Sequence, residues 1–118
     1  MNATEKNWLL LVAYLNLEQQ RPGDACTILR VLSKIDPRNL EVERCHALAE
    51  LSAGRPEVAA RIATRAMQQE KSAAFKIPVG LVFAKALWEQ GKHEAARDYI
   101  ANLLAETASK MGKDKADV

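Results

Sequence analysis

The chain has 118 residues, of which 48 % are apolar and 27 % charged, enough for one domain with a modest hydrophobic core. Seventeen basic and fifteen acidic side chains leave a formal charge of +2, dispersed along the sequence, which argues against a nucleic-acid-binding protein. Alanine and leucine dominate over β-branched residues, so the composition favours an all-α fold.

Six helices are predicted from apolar spacing and from the residues that start and stop helices. Thr4 caps the first helix, and the second follows the break at Arg21–Asp24. Pro37 ends the second helix, Asn39 caps the third, and Pro56 suits the first turn of the fourth. The predicted helices span about 4–20, 25–35, 40–52, 56–70, 75–90 and 94–110, and residues 111–118 are expected to form a flexible tail.

The helices repeat in pairs. One alanine series precedes each turn and a second series follows it, and both step by 34 and then by 37 residues. A period of 34 with two helices per unit is typical of tetratricopeptide repeats. The chain is therefore predicted to be a single domain over residues 1–110, with units at about 5–38, 39–72 and 76–110. The two series are Ala13, Ala47, Ala84 and Ala25, Ala59, Ala96, and the turns lie at Gln20, Gly54 and Gly91.

In this register the sequence resembles tetratricopeptide repeats at the packing positions of units one and three. Unit two is the poorest match, because Glu43 and His46 stand where large apolar residues are usual. The resemblance implies three helical hairpins stacked into a short right-handed solenoid. The matching residues are Leu9, Val12, Ala13, Ala25, Leu29, Leu32 and Pro37 in unit one, and Phe83, Ala84, Leu87, Gly91, Ala96, Ile100 and Leu103 in unit three.

No residues with catalytic or metal-binding spacing stand out. His46 and Glu50 are four apart on one helix, but a second histidine and a third ligand are missing, so we expect His46 to pack or to face solvent. Cys26 and Cys45 match no metal spacing and are expected to be small buried residues in a reducing compartment. Without a glycine-rich phosphate loop either, we expect no enzyme, no cofactor and no metal.

The apolar run Trp8–Leu15 is too short to span a bilayer. Glu5 precedes it and no small-residue cleavage site follows, which argues against a signal peptide. We therefore expect a cytoplasmic protein without membrane insertion.

One apolar surface is expected at the N-terminal end. In a solenoid, each first helix turns one face toward the preceding unit. That face carries Trp8, Leu11 and Leu15 in unit one, where nothing precedes it, so we predict that a partner protein covers it. The alternative is that the first helix shifts to bury these residues itself. The equivalent faces are Val42, Cys45 and Ala49 in unit two, and Val79, Val82 and Ala86 in unit three.

The second expected surface is the concave groove. The resemblance implies that the groove is lined by the first helix of each unit and is largely apolar, which suits an amphipathic helix. Tyr14 and Trp88 are the expected main contacts, because aromatic residues concentrate binding energy, whereas Leu10 and Leu51 are equally well explained as core. The groove residues are Leu10, Tyr14, Leu17, Arg44, Leu48, Leu51, Leu81, Lys85 and Trp88.

Within the repeat class, the chain resembles type III secretion needle-subunit chaperones of the YscG/PscG type. The resemblance rests on the run Trp8–Leu15, the turns Arg21-Pro22 and Arg55-Pro56, and the segment 86–91. It implies a bacterial cytoplasmic heterotrimer. A small helical co-chaperone would cover the N-terminal face, and the C-terminal amphipathic helix of the needle subunit would lie in the groove, so that the needle does not polymerise prematurely. The alternative is a self-associating repeat scaffold, or an adaptor for another helical peptide.

Overall fold

The computed structural model describes the backbone of residues 1–116 and the side chains of residues 1–109. These residues form six α-helices joined by short turns and contain no strand, so the all-α prediction is confirmed. The helices are α1 (Ala3–Glu18), α2 (Pro22–Ile35), α3 (Leu40–Ser52), α4 (Pro56–Gln69), α5 (Ala73–Glu89) and α6 (His93–Ala116).

The helix starts differ from the predicted ones at two places. Asn2 caps α1 instead of Thr4, because its side chain accepts a hydrogen bond from the Glu5 backbone N–H at 2.8 Å. Helix α2 begins at Pro22, inside the segment predicted to be a break. Proline suits a first helical turn, where its missing N–H costs no hydrogen bond, and Pro56 starts α4 in the same way.

The last two helices are longer than predicted. Helix α5 begins at Ala73 and includes Pro78, which has no N–H to donate to the carbonyl of Ala74. Helix α6 continues to Ala116, beyond the predicted end at Lys110. Most of the segment predicted to be a flexible tail is therefore helical, and positions 117 and 118 lie outside the described residues.

The three turns between paired helices have the same geometry. Gln20, Gly54 and Gly91 have positive φ angles of 62°, 86° and 82°. The next residue in each turn donates its N–H to the carbonyl five residues back, at 2.8 to 3.0 Å, which is the longer bond of a Schellman motif. The structure therefore repeats at the predicted spacings of 34 and 37 residues.

Gln20 holds a backbone conformation that suits glycine. We expect Gln20→Gly to raise the free energy of unfolding by about 1 kcal/mol, because the left-handed region costs a non-glycine residue about that much. Gly54→Ala should lower it by a similar amount. Urea denaturation followed by circular dichroism measures both changes.

The matched control is Gly23, which lies in the first turn of α2 without a positive φ. A Cβ atom at Gly23 or Gly54 would meet no atom within 4 Å, so the two substitutions differ only in the backbone. Gly23→Ala should leave stability unchanged or slightly raised. A loss of stability in Gln20→Gly would contradict the positive φ at that turn.

Every helix packs against the next one, and α3 also contacts α1 and α5. The first helices of the three pairs therefore lie side by side. Among the described residues, no Cα atom of α2, α4 or α6 lies within 8 Å of another helix of that set. Both predicted alanine series are buried, which lets the paired helices approach closely.

Candidate protein-binding surface

The first two helix pairs each end in a surface that the following helix covers. In pair one, Ala13, Ala25, Cys26 and Leu29 are fully buried and share a cluster with residues of α3. In pair two, the corresponding small and apolar residues are buried against α5. The covering residues are Val42, Cys45 and Ala49 of α3, and Val79, Val82 and Ala86 of α5, the two faces predicted from the register.

The same surface of the third pair is open. The residues with the same register line a slot of about 240 Å³ between α5 and α6, which we call the terminal slot. Leu81 is 49 % and Trp88 is 44 % exposed, whereas Ala84 and Ala96 are buried. In the described chain, no helix follows α6 to cover them. The slot is lined by Leu81, Ala84, Lys85, Trp88, Ala96, Arg97 and Ile100.

Two residues of α6 hold the Trp88 ring in place. The ring centroids of Trp88 and His93 lie 4.0 Å apart, and the Arg97 guanidinium carbon lies 5.4 Å from the centre of the Trp88 ring. Arg97 has the register of Cys26 and Ala60, so a long cationic side chain stands where the other pairs have a small residue. The terminal slot therefore has an aromatic wall and a basic edge formed by Lys85 and Arg97.

The predicted groove is more polar than expected between α1 and α3. The Tyr14 hydroxyl donates to the Glu41 carboxylate, and Arg44 Nη2 donates to the Tyr14 oxygen at 2.7 Å and pairs with Glu41. The Arg44 hydrogen bond lowers the pKa of Glu41, and burial raises the pKa of Tyr14. Tyr14 and Arg44 are therefore engaged within the protein and do not form an apolar contact surface.

The predicted groove leucines divide by burial. Leu51 is only 4 % exposed and packs with Ala59 and Ala86, so it belongs to the core and its assignment to the groove is corrected. The reason is that α5 covers it, whereas nothing covers Trp88 at the same register. Leu10 and Leu17 are half-buried against the core of pair one. The predicted groove residues that remain exposed are Leu48, Leu81, Lys85 and Trp88.

The N-terminal face is exposed as predicted. Trp8 is 63 % exposed, and Leu11 and Leu15 are nearly half exposed, so the alternative in which α1 shifts to bury them is wrong. Trp8 also lines a cleft of about 480 Å³ that includes Met1 and Leu9. This face and the terminal slot lie at opposite ends of the chain of helix pairs.

A buried polar cluster explains the poor match of unit two. Glu50 is 1 % exposed and accepts hydrogen bonds from Arg30 Nε at 3.0 Å and from Arg55 Nε at 2.5 Å. Its other neighbour is His46 Nε2 at 3.2 Å. Burial favours a higher pKa for Glu50, but the two arginines outweigh it and hold the pKa below its usual value.

Glu43 is buried in the same way, accepting from Ser33 Oγ and from Arg65 Nη2, both at 2.7 Å. Burial lowers the pKa of His46, so the imidazole is neutral at pH 7. Both carboxylates are fully engaged by side chains of α2 and α4 and of the turn before α4. The cluster therefore fills the space between α2, α3 and α4 and offers no acid or base to a ligand.

Metal and thiol chemistry find little support in the part of the chain that the structure describes. No three side chains among its His, Cys, Asp and Glu residues come together to hold a metal ion. Cys26 and Cys45 are free and buried as predicted, and burial raises the pKa of both thiols. Raised pKa values keep them protonated and poorly nucleophilic.

Two further findings concern the whole chain. Within the described residues, no helix combines the length and the apolar character needed to cross a membrane. No protein-family model matches the sequence, and no curated protein is significantly similar to it.

Proposed function

We propose that the three helix pairs are tetratricopeptide-like units in a short right-handed solenoid and that the protein is a binding module without enzymatic activity. The repeated turns, the buried alanine series and the side-by-side first helices support this arrangement. Repeat proteins of this kind bind other proteins through surfaces that the stacking leaves uncovered.

The bound partner in this proposal is an amphipathic helix. The observation that carries it is the terminal slot, whose register equals that of two surfaces already covered by helices of the chain itself. The slot has an apolar floor at Ala84 and Ala96 and an aromatic wall at Trp88. A helix with small or branched apolar residues on one face fits such a surface.

From the sequence resemblance, the protein is a bacterial cytoplasmic chaperone and the helix is the C-terminal segment of a type III secretion needle subunit. Holding that helix would prevent premature polymerisation, because the needle packs through the same apolar face. The exposed face of Trp8, Leu11 and Leu15 is the proposed site of a small helical co-chaperone. No nucleic acid, cofactor or metal takes part.

Two groups of substitutions test these two surfaces separately. Trp88→Ala should weaken binding of a synthetic needle C-terminal helix by at least about 1 kcal/mol, or about fivefold, because an aromatic anchor is lost. Isothermal titration calorimetry gives the dissociation constant. Trp8→Asp combined with Leu11→Asp should abolish co-purification of the co-chaperone and leave the peptide affinity unchanged.

Trp8→Ala is the matched control for Trp88→Ala, since it removes the same side chain from the opposite end. Its peptide affinity should equal that of the unaltered protein. An unchanged constant in Trp88→Ala, or equal losses in both variants, would reject the terminal slot as the peptide site. Co-purification that survives the double substitution would reject the co-chaperone assignment.

The second candidate function is a self-associating scaffold or an adaptor for another helical peptide. Exposed apolar faces at both ends of the molecule favour it. Sedimentation of the purified chain separates the two: a stable symmetric dimer supports the scaffold, and insolubility that a small co-expressed protein relieves supports the chaperone.

A further inference from the structure

The two ends of the molecule present the two halves of one type of interface. Helices α3 and α5 cover the preceding pair with Val42, Cys45, Ala49 and with Val79, Val82, Ala86. The positions 34 residues before the α3 set are Trp8, Leu11 and Leu15, which α1 exposes. Helix α1 thus displays outward the face that the chain buries twice internally.

The opposite end carries the complementary surface without a cover. The terminal slot has the register of the surfaces beneath α3 and α5, and its floor alanines, Ala84 and Ala96, correspond to Ala13 and Ala25. We propose that α1 of a second copy of this chain seats in the terminal slot, so that copies associate head to tail and continue the stack of helix pairs.

The polar residues of the two ends are compatible. Within the chain, the hydroxyl of Tyr14 donates to Glu41 across the α1–α3 contact. Lys85 has the register of Tyr14, and Asn7 has the register of Glu41, so the Lys85 ammonium group meets an amide oxygen of the second copy. The one basic side chain of α1, Lys6, is paired with Asp36, so the contact brings no unpaired cation toward Lys85 or Arg97.

The fit is looser than that of the internal contacts. Trp8 is larger than Val42, and Arg97 is larger than the cysteine and alanine that share its register. We therefore expect association that depends on protein concentration. Because the contact joins two different surfaces, the second copy still offers an open slot, and growth does not stop at two chains.

This inference goes beyond the proposed function, since it concerns the chain alone. Any protein that covers Trp8, Leu11 and Leu15 would also stop the growth at that end. Head-to-tail assembly differs from a symmetric dimer through the N-terminal face, in which each copy would use the same residues and the terminal slot would stay empty.

The test disables one end at a time. Leu11→Glu blocks the N-terminal face, and Leu81→Glu blocks the terminal slot; both residues are exposed, so each variant can keep its fold. Sedimentation velocity over a concentration series should show the unaltered chain growing beyond a dimer and each variant alone as a monomer. An equimolar mixture of the variants should form a complex of two chains, because one supplies the slot and the other supplies the face.

Val31→Glu is the control, because Val31 is an equally exposed apolar residue of α2 away from both ends. It should assemble like the unaltered chain. A dimer of Leu81→Glu alone, a mixture that stays monomeric, or an unaltered chain that is monomeric throughout overturns the proposal. If circular dichroism shows that a variant is unfolded, Leu15→Glu and Lys85→Glu replace the pair. Needle-helix binding, measured separately by calorimetry, does not depend on these results.

Discussion

Replacing Arg30 and Arg55 together by methionine is expected to lower the free energy of unfolding by about 3–5 kcal/mol at pH 7. Both arginines donate to the buried Glu50 carboxylate, one to each oxygen. Without them the charge stays buried with only a neutral His46 beside it. Urea denaturation at pH 7 measures the loss.

The pH dependence of this variant should reverse. In the unaltered protein the pKa of Glu50 is lowered, so its stabilising effect is present at neutral pH and is lost as the pH falls through that lowered value. In the variant, burial without cations raises the pKa of Glu50 above its value in the unfolded chain. Its penalty is therefore relieved as the pH falls through the raised value, and the two proteins should differ least in acid.

Glu50→Leu is the matched control, because Leu87 occupies the same register in the third pair. The arginine side chains are about half exposed and can return to water, so this substitution should cost less than the loss of both arginines. A larger cost for Glu50→Leu would show that the carboxylate, and not its pairing, determines the stability of the cluster.

Leu29→Ala is expected to lower the free energy of unfolding by about 2–5 kcal/mol, because Leu29 is fully buried beneath α3 and its loss leaves a cavity. Ile100 has the same register in the third pair but lines the open terminal slot. Ile100→Ala should cost only about 1 kcal/mol, since water already reaches this side chain.

The pair of substitutions is measured by urea denaturation at a protein concentration low enough to avoid association. Val31→Ala, on the exposed side of α2, should change stability by less than about 0.5 kcal/mol. Equal costs at Leu29 and Ile100 would mean that the slot is closed in solution and would remove the basis for helix binding there.

Local signals in the sequence were sufficient for the helices and their pairing. Glycine and proline mark the turns at Gly54, Pro56 and Gly91, and two alanine series repeat with them. The start of α2 was predicted too late although Pro22 carries the signal that correctly placed Pro56. The turn at Gln20 has the same geometry without a glycine, and only its alignment with the other two turns indicated it.

The site residues were harder to predict because their surroundings depend on contacts between distant segments. Leu51 and Trp88 share one register, yet a following helix covers the first and leaves the second exposed. Glu43 and Glu50 looked like mismatches because their partners, Arg65 and Arg30, lie about 20 residues away in sequence. No local pattern connects these pairs.

The placement of α3 affects how the molecule opens. This helix touches α1, α2, α4 and α5, so it cannot be released without separating the whole protein, whereas α6 packs on α5 alone. Local unfolding is therefore expected to begin at the C-terminal hairpin and to reach the middle last. A guest helix seated between α5 and α6 would brace the least secure part of its host, so that arrival of the guest slows the unfolding of the protein that holds it.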